Sequence, residues 1–149
     1  MTTTTTSHRT DARADLTEPA GQAFLLLRVG FTVAPILFGL DKFAGVLADW
    51  PAYLWSGVDQ LLPGTATDVM LLVGVVEILA GVLVAVRPRI GGYVVAAWLA
   101  CIIGNLLLVG DYYDIALRDV GLLLGALALA RLANATSPRG LGASRSSAV

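Results

Sequence analysis

Leu71-Leu72-Val73-Gly74-Val75-Val76-Glu77-Ile78-Leu79-Ala80-Gly81-Val82-Leu83-Val84-Ala85 carries a single polar side chain, Glu77. A helix at the surface of a soluble protein shows a polar face, and this stretch has none. A strand across a membrane needs alternating polarity, and that is absent too. With its flanks the stretch becomes a segment over 69–86. A hydrocarbon core of about 30 Å takes roughly 20 helical residues, so the segment reads as a membrane span. Three further segments read the same way, over 22–46, 90–110 and 115–133. The fold expected is an all-α integral membrane four-helix bundle.

Composition agrees. The chain has 149 residues, 56% hydrophobic and 14% charged, and its mean hydropathy is +0.76. Soluble domains run at roughly 45–50% apolar and about 25% charged. A soluble globular domain, a disordered chain and a disulfide-stapled module are therefore excluded. Ten basic and eleven acidic residues leave a net charge of −1, which excludes a nucleic-acid partner. A lone cysteine, Cys101, excludes an internal disulfide and a cysteine-based zinc site. The only histidine, His8, lies in the N-terminal tail, so no haem or metal site is expected around it.

The connections set the topology. Arg87-Pro88-Arg89 joins the second and third spans, and residues 111–114 join the third and fourth. Loops this short impose antiparallel neighbours. Arg9, Arg13, Arg87, Arg89, Arg139 and Arg145 fall on one side, with Arg131 at the inner end of the fourth span. Asp41, Asp49, Asp59, Asp68, Asp111, Asp114 and Asp119 fall on the other. The positive-inside bias therefore puts both termini in the cytoplasm. The polar tail 1–21 precedes a first span too long for a signal-peptide core, so that span is expected to stay as an anchor. Residues 1–21 and 134–149 are expected to be disordered.

In the first outer loop Leu54, Val58, Leu61 and Leu62 follow helical spacing beside Trp50, Tyr53 and Trp55. This predicts a short interfacial helix between Pro51 and Pro63, or alternatively a lid over an outward-facing pocket. Each later span also carries small residues at helical spacing: Gly74 and Gly81; Gly92, Ala96, Ala100 and Gly104; Gly121 and Gly125. Such rows serve close helix packing, either within the bundle or in a homodimer. Pro35 is expected to kink the first span.

Ionisable residues in a span are functional candidates by default. At about 1.5 Å per residue, Arg28 lies about 9 Å and Glu77 roughly 13 Å from the inner surface, which predicts an Arg28–Glu77 ion pair. An outer polar layer holds Asp41, Lys42, Asn105, Arg118 and Asp119. There Asp41 is matched with Arg118, and Lys42 with Asp119, while Asn105 bridges. These residues either fix helix register or build a ligand site. Two carboxylates beside two cations do not make a metal site.

Residues 25–43, with Leu26-Leu27-Arg28-Val29-Gly30 and Phe38-Gly39-Leu40-Asp41-Lys42-Phe43, resemble the first helix of DoxX-like membrane proteins. Gly74-Val75-Val76-Glu77-Ile78-Leu79-Ala80-Gly81 resembles their second helix, and Asp114-Ile115-Ala116-Leu117-Arg118-Asp119 the start of their last. The resemblance covers about 22–133. It implies a small four-helix protein of the bacterial plasma membrane. Some members are similar to the quinone-linked subunit of a thiosulfate oxidoreductase, and others associate with redox enzymes. Three functions follow as expectations. The first is a non-catalytic membrane partner or anchor of a redox or stress-response complex, without a cofactor. The second is a quinone-interacting subunit, with Trp50, Trp55, Tyr112 and Tyr113 available to stack on a ring. The third is a small oligomeric transporter.

Overall fold

The computed structural model describes residues 18–57 and 64–135. Among them the regular structure is entirely helical: α1 (Pro19–Ala44), α2 (Ala66–Val86), α3 (Pro88–Val109) and α4 (Tyr113–Ala135), with a 3-10 turn at Trp50–Tyr53. The tails 1–17 and 136–149, with His8, lie outside the described residues. Local chemistry sets the helix ends within three residues of those expected. Pro19 occupies the first position of α1, where its missing N–H costs nothing. Thr65 and Asp68 form a capping box that starts α2. Arg87 is the only residue between α2 and α3. Its backbone leaves the helical region (φ −137°, ψ 74°) ahead of Pro88, which opens α3. Gly45 (φ 64°) and Gly110 (φ 86°) close α1 and α3 in the left-handed conformation. α1 continues through Pro35.

Helices α1, α2 and α3 are long and apolar enough to cross a membrane. α4 is as long but carries Asp114, Arg118, Asp119 and Arg131. The distribution of side chains is inverted relative to a water-soluble protein. Leu26 (74% exposed), Leu79 (63%) and Leu117 (74%) face outward, while Asp41, Glu77 and Asp119 are buried. Polar groups turned inward and leucines turned outward are what a lipid environment requires. The chain is a membrane protein.

α1 packs chiefly on α2 and α3 chiefly on α4, with smaller α2–α3, α1–α4 and α1–α3 contacts, and the 3-10 turn rests on α2. Small residues set the spacing. A Cβ on Gly39 would lie 2.6 Å from the Gly74 carbonyl, and one on Gly81 would lie 2.7 Å from the Thr32 carbonyl. Arg28 donates to the Ala85 carbonyl. The partners run 28 to 85, 32 to 81 and 39 to 74, so α1 and α2 pass in opposite directions. On the other side Gly91 abuts the Val84 backbone, and Gly92 abuts Ala126 and Ala130. Ala80, Val84, Val95, Ala96, Leu99, Ala126 and Leu129 form the core between α2, α3 and α4. The row on α3 divides: Gly92 and Ala96 are buried, whereas Ala100 and Gly104 face outward.

The loop after α1 departs from expectation in its described part. A continuous helix does not start after Pro51. Trp50–Tyr53 make one 3-10 turn, and residues 54–57 turn away without helical structure. Residues 58–63 lie outside the described residues. Side-chain bonds from the helices below hold this segment, as described next.

Candidate functional site

The polar interior is organised around Lys42 and Glu77. The Lys42 ammonium lies 2.6 Å from Glu77 Oε2, and the two side chains are 3% and 11% exposed. Lys42 Nζ also sits 3.9 Å from the centre of the Trp50 ring. A desolvated cation over an indole is stabilised by about 2 kcal/mol. Trp50 in turn donates its indole N–H to Asp41 Oδ2 at 2.8 Å. Asp41 further accepts from the backbone N–H of Val46 at 3.2 Å and of Leu47 at 3.1 Å. One aspartate therefore ties the end of α1 to the turn that follows it and to the aromatic lid of Lys42.

Asn105 holds the next part of the loop. Its Nδ2 donates to the Tyr53 carbonyl at 2.6 Å, and its Oδ1 accepts from the Trp55 N–H at 3.0 Å. Tyr53 stacks on Tyr112 with ring centres 4.5 Å apart, and on Trp50 at 6.0 Å. The loop aromatics thus pack on one another and on the polar residues beneath.

The expected pairings are corrected here. Arg28 does not meet Glu77; its partner is the Ala85 carbonyl. Counting depth from each helix end assumes flush ends, and these are not flush. Nine residues of α1 precede Arg28, whereas Ala85 stands one residue from the end of α2. Glu77 is then eight residues from the level of Arg28, or about 12 Å along the helix. Asp41 and Arg118 do not pair, nor do Lys42 and Asp119. Arg118 instead lies 3.3 Å from its sequence neighbour Asp119, and its side chain is 64% exposed while that of Asp119 is 7% exposed. Asn105 serves the loop and bridges no charges.

Trp98 was not among the candidates read from the sequence. Its indole Nε1 is buried beside the Glu77 carboxylate, short of full hydrogen-bond geometry. Tryptophan prefers the membrane interface, so an indole at the middle of a span was the available signal. Trp98 and Glu77 line one cleft of about 280 Å³ between α1 and α3, whose walls are Leu27, Phe31, Phe38 and Val95. A second cleft, of about 540 Å³, opens beside the loop and reaches Lys42, Asp49, Trp50 and Thr67. The ion pair stands between the two: Lys42 borders the loop cleft and Glu77 the apolar one. Among the described residues no group of three or more His, Cys, Asp or Glu is placed to hold a metal ion.

Cys101 is exposed on α3, between apolar neighbours at mid-helix. A thiol that faces lipid lies out of reach of a charged, water-borne reagent. In intact membranes a charged maleimide should leave Cys101 unmodified, while a membrane-soluble maleimide should reach it. Rapid labelling by the charged reagent would mean that this face of α3 lines a water-filled path.

Compared with family models, curated proteins and solved structures, the chain matches none.

Proposed function

We propose that the chain is a DoxX-like plasma-membrane protein of bacteria that serves as the membrane partner of a redox or stress-response complex. In this reading α4 is the fourth span, the helices form an antiparallel bundle, and both termini lie in the cytoplasm. The observation that carries it is the occupation of the interior polar groups. Asp41 organises a turn, Lys42 and Glu77 neutralise each other, Arg28 caps a helix end and Asn105 holds a loop. These are structural duties, and none of them forms a nucleophile–base pair. The likeness of residues 25–43, 74–81 and 114–119 to DoxX-like helices supports the same role. In that role the chain needs no cofactor of its own, and it enters the complex as a single copy or as a homodimer.

Two measurements test the proposal. Tags at both termini should be reached only from the cytoplasm, and a cysteine at Ser56 should be labelled from outside; external access to either terminus overturns the topology. Purification in mild detergent through a C-terminal tag should recover a redox enzyme in fixed ratio. That enzyme should leave the membrane fraction when the chain is deleted. A chain that purifies alone, from cells whose membrane redox enzymes are unchanged by its deletion, overturns the partner role.

A further inference from the structure

The outward surface of the helices is rich in leucine and valine, but α4 turns charge outward. Asp114, Leu117, Arg118 and Gly121 are all exposed, with Leu124 and Ala128 continuing the row. Their three- and four-residue spacing places them on one side of a helix. Arg118 keeps 64% of its side chain exposed. Its Nε and Nη2 reach Asp119 Oδ1 at 3.3 Å, and Nη1 makes no hydrogen bond among the described residues. Asp114 stands four residues before Arg118, where the two could pair along the helix. Arg118 turns to Asp119 instead, and Asp114 makes no ion pair among the described residues. Charge facing lipid is costly, and α4 is not among the helices apolar enough to cross a membrane unaided.

We propose that this face of α4 is the contact between two copies of the chain, with Arg118 of each copy paired to the partner's Asp114. The contact rests on α4 being the fourth span, and it gives the homodimer of that reading its surface. Charge complementarity selects the occupant. Two copies inserted in the same direction are related by a two-fold axis along the membrane normal, so a face meets itself. Each Arg118 then stands one turn, about 6 Å, from the depth of the partner's Asp114. With helix axes about 8–10 Å apart, an arginine side chain spans that offset, and the symmetry forms the pair twice. Gly121 lies at the next turn. A Cβ there would meet nothing within 4 Å, so packing within the chain does not use it, and its bare backbone lets a second helix come close. Arg131 stands one turn from the other end of α4, where its side chain reaches water. Other occupants answer less. An acyl chain leaves both charges unpaired. A lipid phosphate answers Arg118 but is repelled by Asp114 one turn away. A second copy answers both.

The test uses the full chain in the membranes of the expressing cells, with Cys101→Ser removing its one thiol. Leu117→Cys should be oxidised to a cross-linked dimer by copper phenanthroline. Leu40→Cys, on the exposed side of α1, should not. With Leu117→Cys as the reporter, Asp114→Arg and Arg118→Asp should each lower the dimer yield about tenfold, because like charges then face each other. Co-expressed under separate tags, these two variants should cross-link to one another, since every acid again meets an arginine. That rescue between chains, with no cross-link at Leu40, supports the contact. No dimer at Leu117, equal yields at Leu117 and Leu40, or charge variants that dimerise as well as their parent overturns it. Losses in the single variants without rescue assign the charges to lipid or to another protein and overturn the second copy. Arg118→Asp puts an acid beside Asp119. If that chain fails to accumulate, Arg118→Gln takes its place; rescue of Asp114→Arg through the one remaining pair is then expected, and its absence overturns the contact. The two readings fail separately. A C-terminal tag reached from outside overturns the fourth span, whereas a cytoplasmic C-terminus without the Leu117 dimer overturns the contact alone.

Discussion

Glu77→Gln is expected to lower the stability of the protein by about 2–4 kcal/mol. Removing one partner of a buried ion pair typically costs about 3–5 kcal/mol, because the other charge stays behind without compensation. Lys42 would be that charge, with its side chain 3% exposed. The Trp50 ring, 3.9 Å from Nζ, continues to hold the cation and accounts for the lower range. Lys42→Met should cost a similar amount. The double variant Lys42→Met with Glu77→Gln should be more stable than the sum of the two losses predicts, by at least about 1.5 kcal/mol. A second cycle serves as the control. Arg28→Leu and Glu77→Gln should be additive within about 0.5 kcal/mol, since Arg28 bonds the Ala85 carbonyl at the far end of α2. Thermal unfolding in one detergent measures every corner of both cycles. Additive behaviour of Lys42 with Glu77 would mean that the pair contributes nothing to the fold.

The helical architecture was legible because the bilayer makes few demands and makes them strongly. A stretch such as residues 71–85, with Glu77 as its one polar side chain, has one physical solution in lipid. Helix ends were legible to within a few residues, and the caps explain the remainder. The same seven polar residues that stand out in the sequence also populate the structure's polar contacts, since each is costly in a span unless it is bonded. Which residue meets which was not legible. Depth along a helix can be counted, but the offset between two helices is set by close contacts such as Gly39 on Gly74, and these depend on shape. Orientation around the helix escaped as well. Asp41 and Lys42 are adjacent in sequence, yet one reaches the turn after α1 and the other reaches α2. Trp98 was hidden by its own chemistry. An indole adds to the apolar count of a span, and its single N–H matters only once the groups around it are known.

The same close contacts give the second large effect, and they make its sign depend on position. Leucine in place of Gly39 or Gly74 should separate α1 from α2. A Cβ at Gly39 would meet the Gly74 carbonyl at 2.6 Å, and a Cβ at Gly74 would meet the Gly39 carbonyl at 2.8 Å. A carbonyl inside a helix cannot move away alone, so the whole helix must shift. Overpacking of this kind costs about 1–3 kcal/mol, and occasionally more; a leucine against backbone on both sides belongs at the upper end. Alanine at either site is milder, because the helix gains about 0.5–1 kcal/mol when glycine is replaced. The shift should also weaken the ion pair, since the built Cβ of Gly74 comes within 3.1 Å of Lys42 Cβ. Gly74→Leu and Glu77→Gln should therefore lose less together than their separate effects sum to. Gly30, Gly104 and Gly121 are the contrast. A Cβ at any of them meets nothing within 4 Å, so alanine there should be neutral or stabilising by up to about 1 kcal/mol. Unfolding of the five alanine variants and the two leucine variants under one condition would separate the groups. If Gly39 and Gly74 tolerate leucine as readily as Gly30 tolerates alanine, the glycine contact does not set the spacing of α1 and α2. The register that brings Lys42 to Glu77 would then have to come from the polar groups themselves.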